Sequence, residues 1–221
     1  MAYRRTERVI QRFNARRDAI VEAARALAAE GGMEAVQVVA VAARASIASG
    51  TVYRYFPSKH DLVTALADGF AQRELAALRR AATAAPGPLS ALAAAIVTFA
   101  VRCRRQRRLA WAVMVEPVDR DLDSLRIACR RTLVREIETR IAEAVSAGHL
   151  PPQDARLASA ALVGGLLEAL VGPLARDDAD EAKVRDAIQE LTLAALRGLG
   201  VVDARARGLV VQVPWPKRDV A

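Results

Sequence analysis

An all-helical fold is predicted for this 221-residue chain on three grounds: its apolar residues recur at helical spacing, its apolar fraction is alanine-rich, and aromatics are scarce. Hydrophobic residues make up 53% and charged residues 26%, so the chain has the composition of a globular protein. At 4%, aromatics are too sparse for an all-β core, whereas alanine gives up no side-chain entropy in a helix. The length suffices for a buried core without disulfides or metal.

The elements follow in order. Ile20, Ala23, Ala24, Leu27 and Ala28 recur at three- and four-residue steps and predict a first helix over 12–30, ended by Gly31-Gly32. Val38, Val41, Ala42 and Ala45 give a short second helix over 37–44, followed by the turn Ser46-Ile47-Ala48. A third short helix, 49–56, stops at Pro57, because the residue before a proline is pushed out of the α region. Ser58-Lys59-His60-Asp61 has the spacing of a capping box and opens a long fourth helix to about residue 84.

Pro86-Gly87-Pro88 then breaks the chain. Further helices are predicted over 89–107, 108–116, 121–147, 154–175 and 180–199, for nine in all. Arg176-Asp177-Asp178 separates the last two, and Gly198 and Gly200 open a tail in which Leu209-Val210-Val211-Gln212-Val213 has strand composition but no partner strand. The expected organisation is a domain over 1–57 with a basic N-terminal arm, a helical domain over 58–200 whose residues 58–84 form a linking helix, and a tail over 201–221.

The formal charge of +8 points to an anionic partner. Ten basic residues (Arg4, Arg5, Arg8, Arg12, Arg16, Arg17, Arg25, Arg44, Arg54, Lys59) against five acids (Glu7, Asp18, Glu22, Glu30, Glu34) put +5 of it in the first sixty positions. Arg4 to Arg17 read either as an arm following phosphates or the minor groove, or as a frayed basic terminus. Cys103 and Cys129 form no Cys-x-x-Cys pair, and the two histidines, His60 and His149, are isolated, so neither metal nor cofactor is expected. Gly-x-Ser-x-Gly and Walker loops are absent, and an enzyme is not expected. The charged N-terminus lacks a signal-peptide pattern and the chain is read as cytoplasmic. The apolar run from Leu157 to Ala175 approaches a bilayer span, but Glu168 and Pro173 interrupt it, and no membrane association is expected.

Two short helices joined by a tight turn match a helix-turn-helix, whose second helix enters the major groove. That second helix carries Ser49, Thr51, Tyr53, Arg54 and Tyr55, all donors able to reach phosphates or base edges, and Lys59 follows. The run Gly50-Thr51-Val52-Tyr53-Arg54-Tyr55-Phe56-Pro57-Ser58-Lys59, with Leu62, resembles the N-terminal signature of the tetracycline-repressor (TetR) family of bacterial transcriptional regulators. The resemblance extends from about Ala15 to Phe70. Against the family pattern, Gln37 stands where Thr is usual, Ser46 replaces a turn glycine and Ala48 takes the place of a helix-capping serine, leaving Ser49 as the alternative cap.

The resemblance implies phosphate-positioning roles for Thr51, Tyr53 and Lys59, places Ser49, Arg54 and Tyr55 nearest the bases, and sets Gln37, Val38 and Arg44 at the groove edge. It further implies a double-stranded operator, roughly palindromic, and a small-molecule effector that releases a repressor from DNA; the apolar central helices and the arginines of residues 102–108 suit an apolar or acyl-CoA-like ligand. The effector site would draw on Phe99, Cys103, Gln106, Leu109, Trp111, Met114 and Glu116; by residue type alone the apolar members equally suit a core.

Arg102-Cys103-Arg104-Arg105-Gln106-Arg107-Arg108 surrounds a thiol with arginines, which suits a redox-sensing thiolate, a receptor for an acidic ligand, or a core cysteine with a solvated basic face. The last two predicted helices are apolar or small over much of their circumference. Leu157, Ala161, Gly164, Gly165, Glu168, Val171, Ile188, Leu191 and Leu196 therefore predict a homodimer interface built from four helices.

Overall fold

The computed structural model describes residues 2–117, 120–175 and 180–217, with side chains from residue 7 onward and not at 120 and 121. Among these residues there are ten α-helices and no strand. They are α1 (Ala2–Gly31), α2 (Val38–Arg44), α3 (Ser49–Tyr55), α4 (Lys59–Thr83), α5 (Pro88–Arg105), α6 (Arg107–Met114), α7 (Arg120–Ser146), α8 (Ala155–Leu170), α9 (Glu181–Gly198) and α10 (Asp203–Gln212). The chain divides into two compact units, one of residues 1–70 with 108–127, the other of residues 71–107 with 128–221.

In the first unit α1 packs on α2, and α2 on α3. Ile20, Ala24, Val41, Val52, Phe56 and Leu62 are buried there, which matches the helical stripes of the sequence. Gly32 turns the chain out of α1 at φ 78°, a conformation that suits glycine, and a 3-10 turn at Met33–Ala35 follows. The structure starts α1 ten positions before the predicted start, since residues 2–11 contain neither Gly nor Pro and carry the helix formers Arg4, Arg5, Glu7 and Arg8.

Three further boundaries have clear local causes. Phe56 is extended (φ −134°, ψ 96°) ahead of Pro57 and ends α3. The capping box forms as its spacing requires: the Asp61 amide donates to Ser58 Oγ at 3.1 Å, and the Ser58 amide to the Asp61 carboxylate at 3.0 Å. Asp154 and Asp180 cap α8 and α9 by accepting amides of the first turn.

In the second unit α5, buried along most of its length, packs against α8, α9 and α10. The tail corrects the sequence reading. Residues predicted as an open tail, with a strand-like run from Leu209 to Val213, form α10 through Gln212. Ala206, Leu209 and Val210 lie at helical spacing and are buried, and α10 packs on α5 and α9. Asp203 in its first turn takes hydrogen bonds from Arg197 and Arg207, and Arg185 lies over the Trp215 ring at 5.1 Å. The predicted helix over 154–175 ends earlier, at Leu170, ahead of Gly172 and Pro173; Arg176-Asp177-Asp178 lies outside the described residues. No helix among the described residues is long and apolar enough to cross a membrane.

Candidate nucleic-acid interface

The turn between α2 and α3 is a Schellman ending. The Ile47 amide donates to the Ala42 carbonyl at 3.0 Å and the Ser46 amide to the Ala43 carbonyl at 3.1 Å. That pattern requires a left-handed residue at the position after the cap, and Ser46 supplies it at φ 53°. Serine thus occupies a conformation where glycine costs nothing. At the other end of the turn, Ala48 is the N-cap of α3 and offers no side-chain acceptor; Ser49, the alternative cap in sequence, is already inside the helix.

Within α3, Val52 is completely buried and Phe56, just beyond it, nearly so, which fixes which face is outward. Arg54 is exposed and Tyr53 is 52% exposed; Ser49, Thr51, Tyr55 and Lys59 are half-buried. Gln37 is exposed and donates to the Glu34 carbonyl at 2.8 Å, and Val38 is half-buried. Arg44 is exposed and holds both Glu30 carboxylate oxygens, at 2.8 and 2.5 Å. The hydrogen bond from Arg44 pulls the Glu30 carboxyl below its ordinary value, and the same bond raises the Arg44 guanidinium.

Three tertiary ties hold this assembly that no local spacing reveals. The first is the Glu30–Arg44 pair between α1 and α2. The second joins α1 to α3: the Phe13 ring stacks on Tyr55 with centroids 4.6 Å apart, and the Arg17 guanidinium sits 5.1 Å from the Phe56 centroid. The third is Glu116, which accepts the Met33 amide at 3.0 Å and so caps the 3-10 turn leading toward α2. A Cβ on Gly32 would lie 2.7 Å from Arg108 Nη2 and 2.8 Å from a Glu116 carboxylate oxygen. Each tie joins residues far apart in sequence, so only the fold discloses it.

The residues expected at an effector site divide between the two units: Phe99, Cys103 and Gln106 in the second, Leu109, Trp111, Met114 and Glu116 in the first. Phe99, Cys103, Leu109 and Met114 are buried, while Trp111, Gln106 and Glu116 are half-buried. Gln106 donates to Glu74 at 2.6 Å, and Arg102 grips the same buried carboxylate through Nε at 2.7 Å and Nη2 at 2.9 Å. Cys103 is fully buried. Burial pushes its thiol well up, with Glu74 adding to the shift, the reverse of what a reactive thiolate needs. Arg105 and Arg107 donate to the carbonyls of Lys217 and Ala175.

Of the residues expected at a dimer face, Leu157, Ala161, Gly165 and Glu168 are exposed and Gly164 and Leu191 half-buried, whereas Val171, Ile188 and Leu196 are buried in their own protomer. An apolar groove of about 340 Å³ runs between α8 and α9, with Ala161, Gly165, Leu166, Leu191, Ala195 and Leu199 in its lining.

Residues 20–66 match the model for bacterial regulatory proteins of the tetR family. The chain is 62% identical over 56 residues to the HTH-type transcriptional repressor KstR of Rhodococcus jostii (strain RHA1), a match covering 25% of this chain and 26% of that protein. It spans between 26% and 43% of the length of the curated relatives it matches. Among solved structures it resembles RolR in complex with resorcinol, with a TM-score of 0.68 and 24% identity over 94% of this chain and 98% of that one. It also resembles the regulator FadR of Bacillus subtilis in complex with stearoyl-CoA, with a TM-score of 0.67 and 21% identity over 79% of this chain and 96% of that one. The helix-turn-helix segment, residues 20–66, is thus similar to that of the tetR family of bacterial regulatory proteins, and the chain shares the all-helical fold of these solved structures.

Proposed function

We propose that this protein is a ligand-responsive, DNA-binding transcriptional regulator: a cytoplasmic, non-enzymatic homodimer that represses from a roughly palindromic operator until a small effector releases it. The observation that carries this reading is the helix-turn-helix itself. Its second helix buries Val52 and turns Arg54 and Tyr53 outward, in a segment closely similar to that of a known repressor. Arg54, Tyr55 and Ser49 read bases; Thr51, Tyr53 and Lys59 hold phosphates; Gln37, Val38 and Arg44 border the groove. Two such helices, one per protomer, would meet half-sites about one helical turn apart or a multiple of it.

The apolar groove between α8 and α9, with Leu157 69% exposed beside it, supports dimerisation through these two helices. For the effector, solved relatives of this fold hold resorcinol or stearoyl-CoA, which supports an apolar or acyl-CoA-like ligand. Glu116 gives such a ligand a route to the DNA-binding helices, because its bond to the Met33 amide joins the end of α6 to the turn before α2. Coupling of this kind typically amounts to about 1–3 kcal/mol and is reciprocal, so operator DNA weakens effector binding by the same factor. A redox switch through Cys103 has no support in a fully buried thiol whose pKa is raised.

Fluorescence anisotropy with duplex DNA flanking the protein's own gene, against scrambled duplex of equal length at near-physiological salt, tests the reading. A preference of about a thousandfold is expected, reversed by the effector. Equal binding to both duplexes, with the protein freed of bound ligand, overturns it.

A further inference from the structure

The family match begins at residue 20, yet α1 begins at Ala2, so more than half of this helix lies ahead of the matched module. Three arginines in that extension, Arg8, Arg12 and Arg16, are exposed and spaced four residues apart. At about 100° per residue they fall within an arc of about 80° on one side of the helix. Phe13 and Arg17, which contact Tyr55 and Phe56, occupy the adjoining side. Glu7 and Asp18 project from a third side, on the far side of the helix from Arg12. The extension therefore presents a face of one sign and is fastened beside α3 by its neighbouring face.

We propose that Arg8, Arg12 and Arg16 form a second DNA-contacting surface that grips sugar–phosphate backbone beside the groove entered by α3. The inference rests on the regulator reading above and adds a surface outside the helix-turn-helix. The three guanidinium-bearing positions span about 12 Å of helix, comparable to the rise of three to four phosphates along one strand. Because these arginines meet phosphate, their contribution is independent of sequence. They lengthen the protected stretch of duplex and raise affinity for all DNA alike.

The test is the salt dependence of anisotropy binding for the full chain with Arg8→Ala, Arg12→Ala and Arg16→Ala combined, on both the gene-flanking and the scrambled duplex. A control carries Arg131→Ala, Arg135→Ala and Arg205→Ala, exposed arginines of α7 and α10 that remove the same charge elsewhere. The expected result is a slope of log affinity against log salt that falls by about 0.9 for each phosphate the variant no longer neutralises, equally on both duplexes, with the control unchanged. Helicity and melting temperature at the wild-type value exclude unfolding as the cause. An unchanged slope, or an equal fall in the control, overturns the proposal. Loss of sequence preference by the wild type instead overturns the regulator reading and leaves the slope comparison on scrambled DNA intact.

Discussion

Replacing Ser46 by glycine should stabilise the helix-turn-helix. A left-handed conformation costs a residue bearing a Cβ about 1–2 kcal/mol, and Ser46 adopts one at φ 53°. Its side chain is exposed and makes no hydrogen bond among the described residues, so its removal forfeits nothing. Glycine returns about 0.4–1 kcal/mol of that gain through a freer unfolded chain, which leaves a net stabilisation centred on about 0.8 kcal/mol, within limits of about 0 and 1.6. For a chain of this size that corresponds to a melting temperature higher by about 1–4 °C. Amide exchange at Ile47, whose N–H donates to the Ala42 carbonyl, should slow in proportion, and it reads the turn locally even if the two units melt separately. Ser46→Ala keeps the Cβ and should stay within about 0.5 kcal/mol of wild type. If the glycine variant is no more stable than wild type while Ile47 exchange is unaltered, the turn holds no strain and the reasoning fails.

Ala48→Ser should restore the missing acceptor at the start of α3 and raise stability by about 1 kcal/mol, measured by urea unfolding. Glu74→Ala should lower it by about 3–5 kcal/mol, because it strands the Arg102 guanidinium, 13% exposed, without its buried partner; Glu74→Leu with Arg102→Met should recover most of the loss. Gly32→Ala should destabilise, since the new methyl meets Arg108 and Glu116 at a positive φ, and thermal melts of the variant report it. Glu136, against which desolvation works, is nevertheless held below its ordinary value of 4.5 by hydrogen bonds from Arg79 and Arg140. A depressed folded-state pKa contributes stability that is fully present above about 4.5 and is lost as pH falls through the lower folded value, so Glu136→Gln should flatten stability in that acid range alone.

Helix positions were legible wherever one face had to be buried or a breaker stood. The stripe Ile20, Ala24, Ala28, the proline after Phe56 and the Ser58–Asp61 box all behave as their local chemistry dictates. Elements set by tertiary packing were not legible. The run from Leu209 to Val213 has strand composition, and what makes it helical is the burial of Ala206, Leu209 and Val210 where α10 meets α5 and α9. The same holds at the interface. Arg54 could be read from the helix-turn-helix pattern, but the engagement of Arg44 by Glu30 and of Tyr55 by Phe13 comes from helices brought together in space.

The arginine-rich stretch around Cys103 shows why charge density in sequence is a poor guide to where an anion binds. Arg102 neutralises the buried Glu74, and Arg105 and Arg107 satisfy the backbone carbonyls of Lys217 and Ala175. These side chains make hydrogen bonds within the second unit that an incoming phosphate or carboxylate would have to displace at the cost of leaving carbonyls or a carboxylate unsatisfied. In the first unit Arg8, Arg12, Arg16 and Arg54 stand exposed on α1 and α3, where a phosphate displaces only water. The exposed arginines of α1 and α3 therefore differ from the denser cluster further along, whose Arg102, Arg105 and Arg107 are engaged within the second unit.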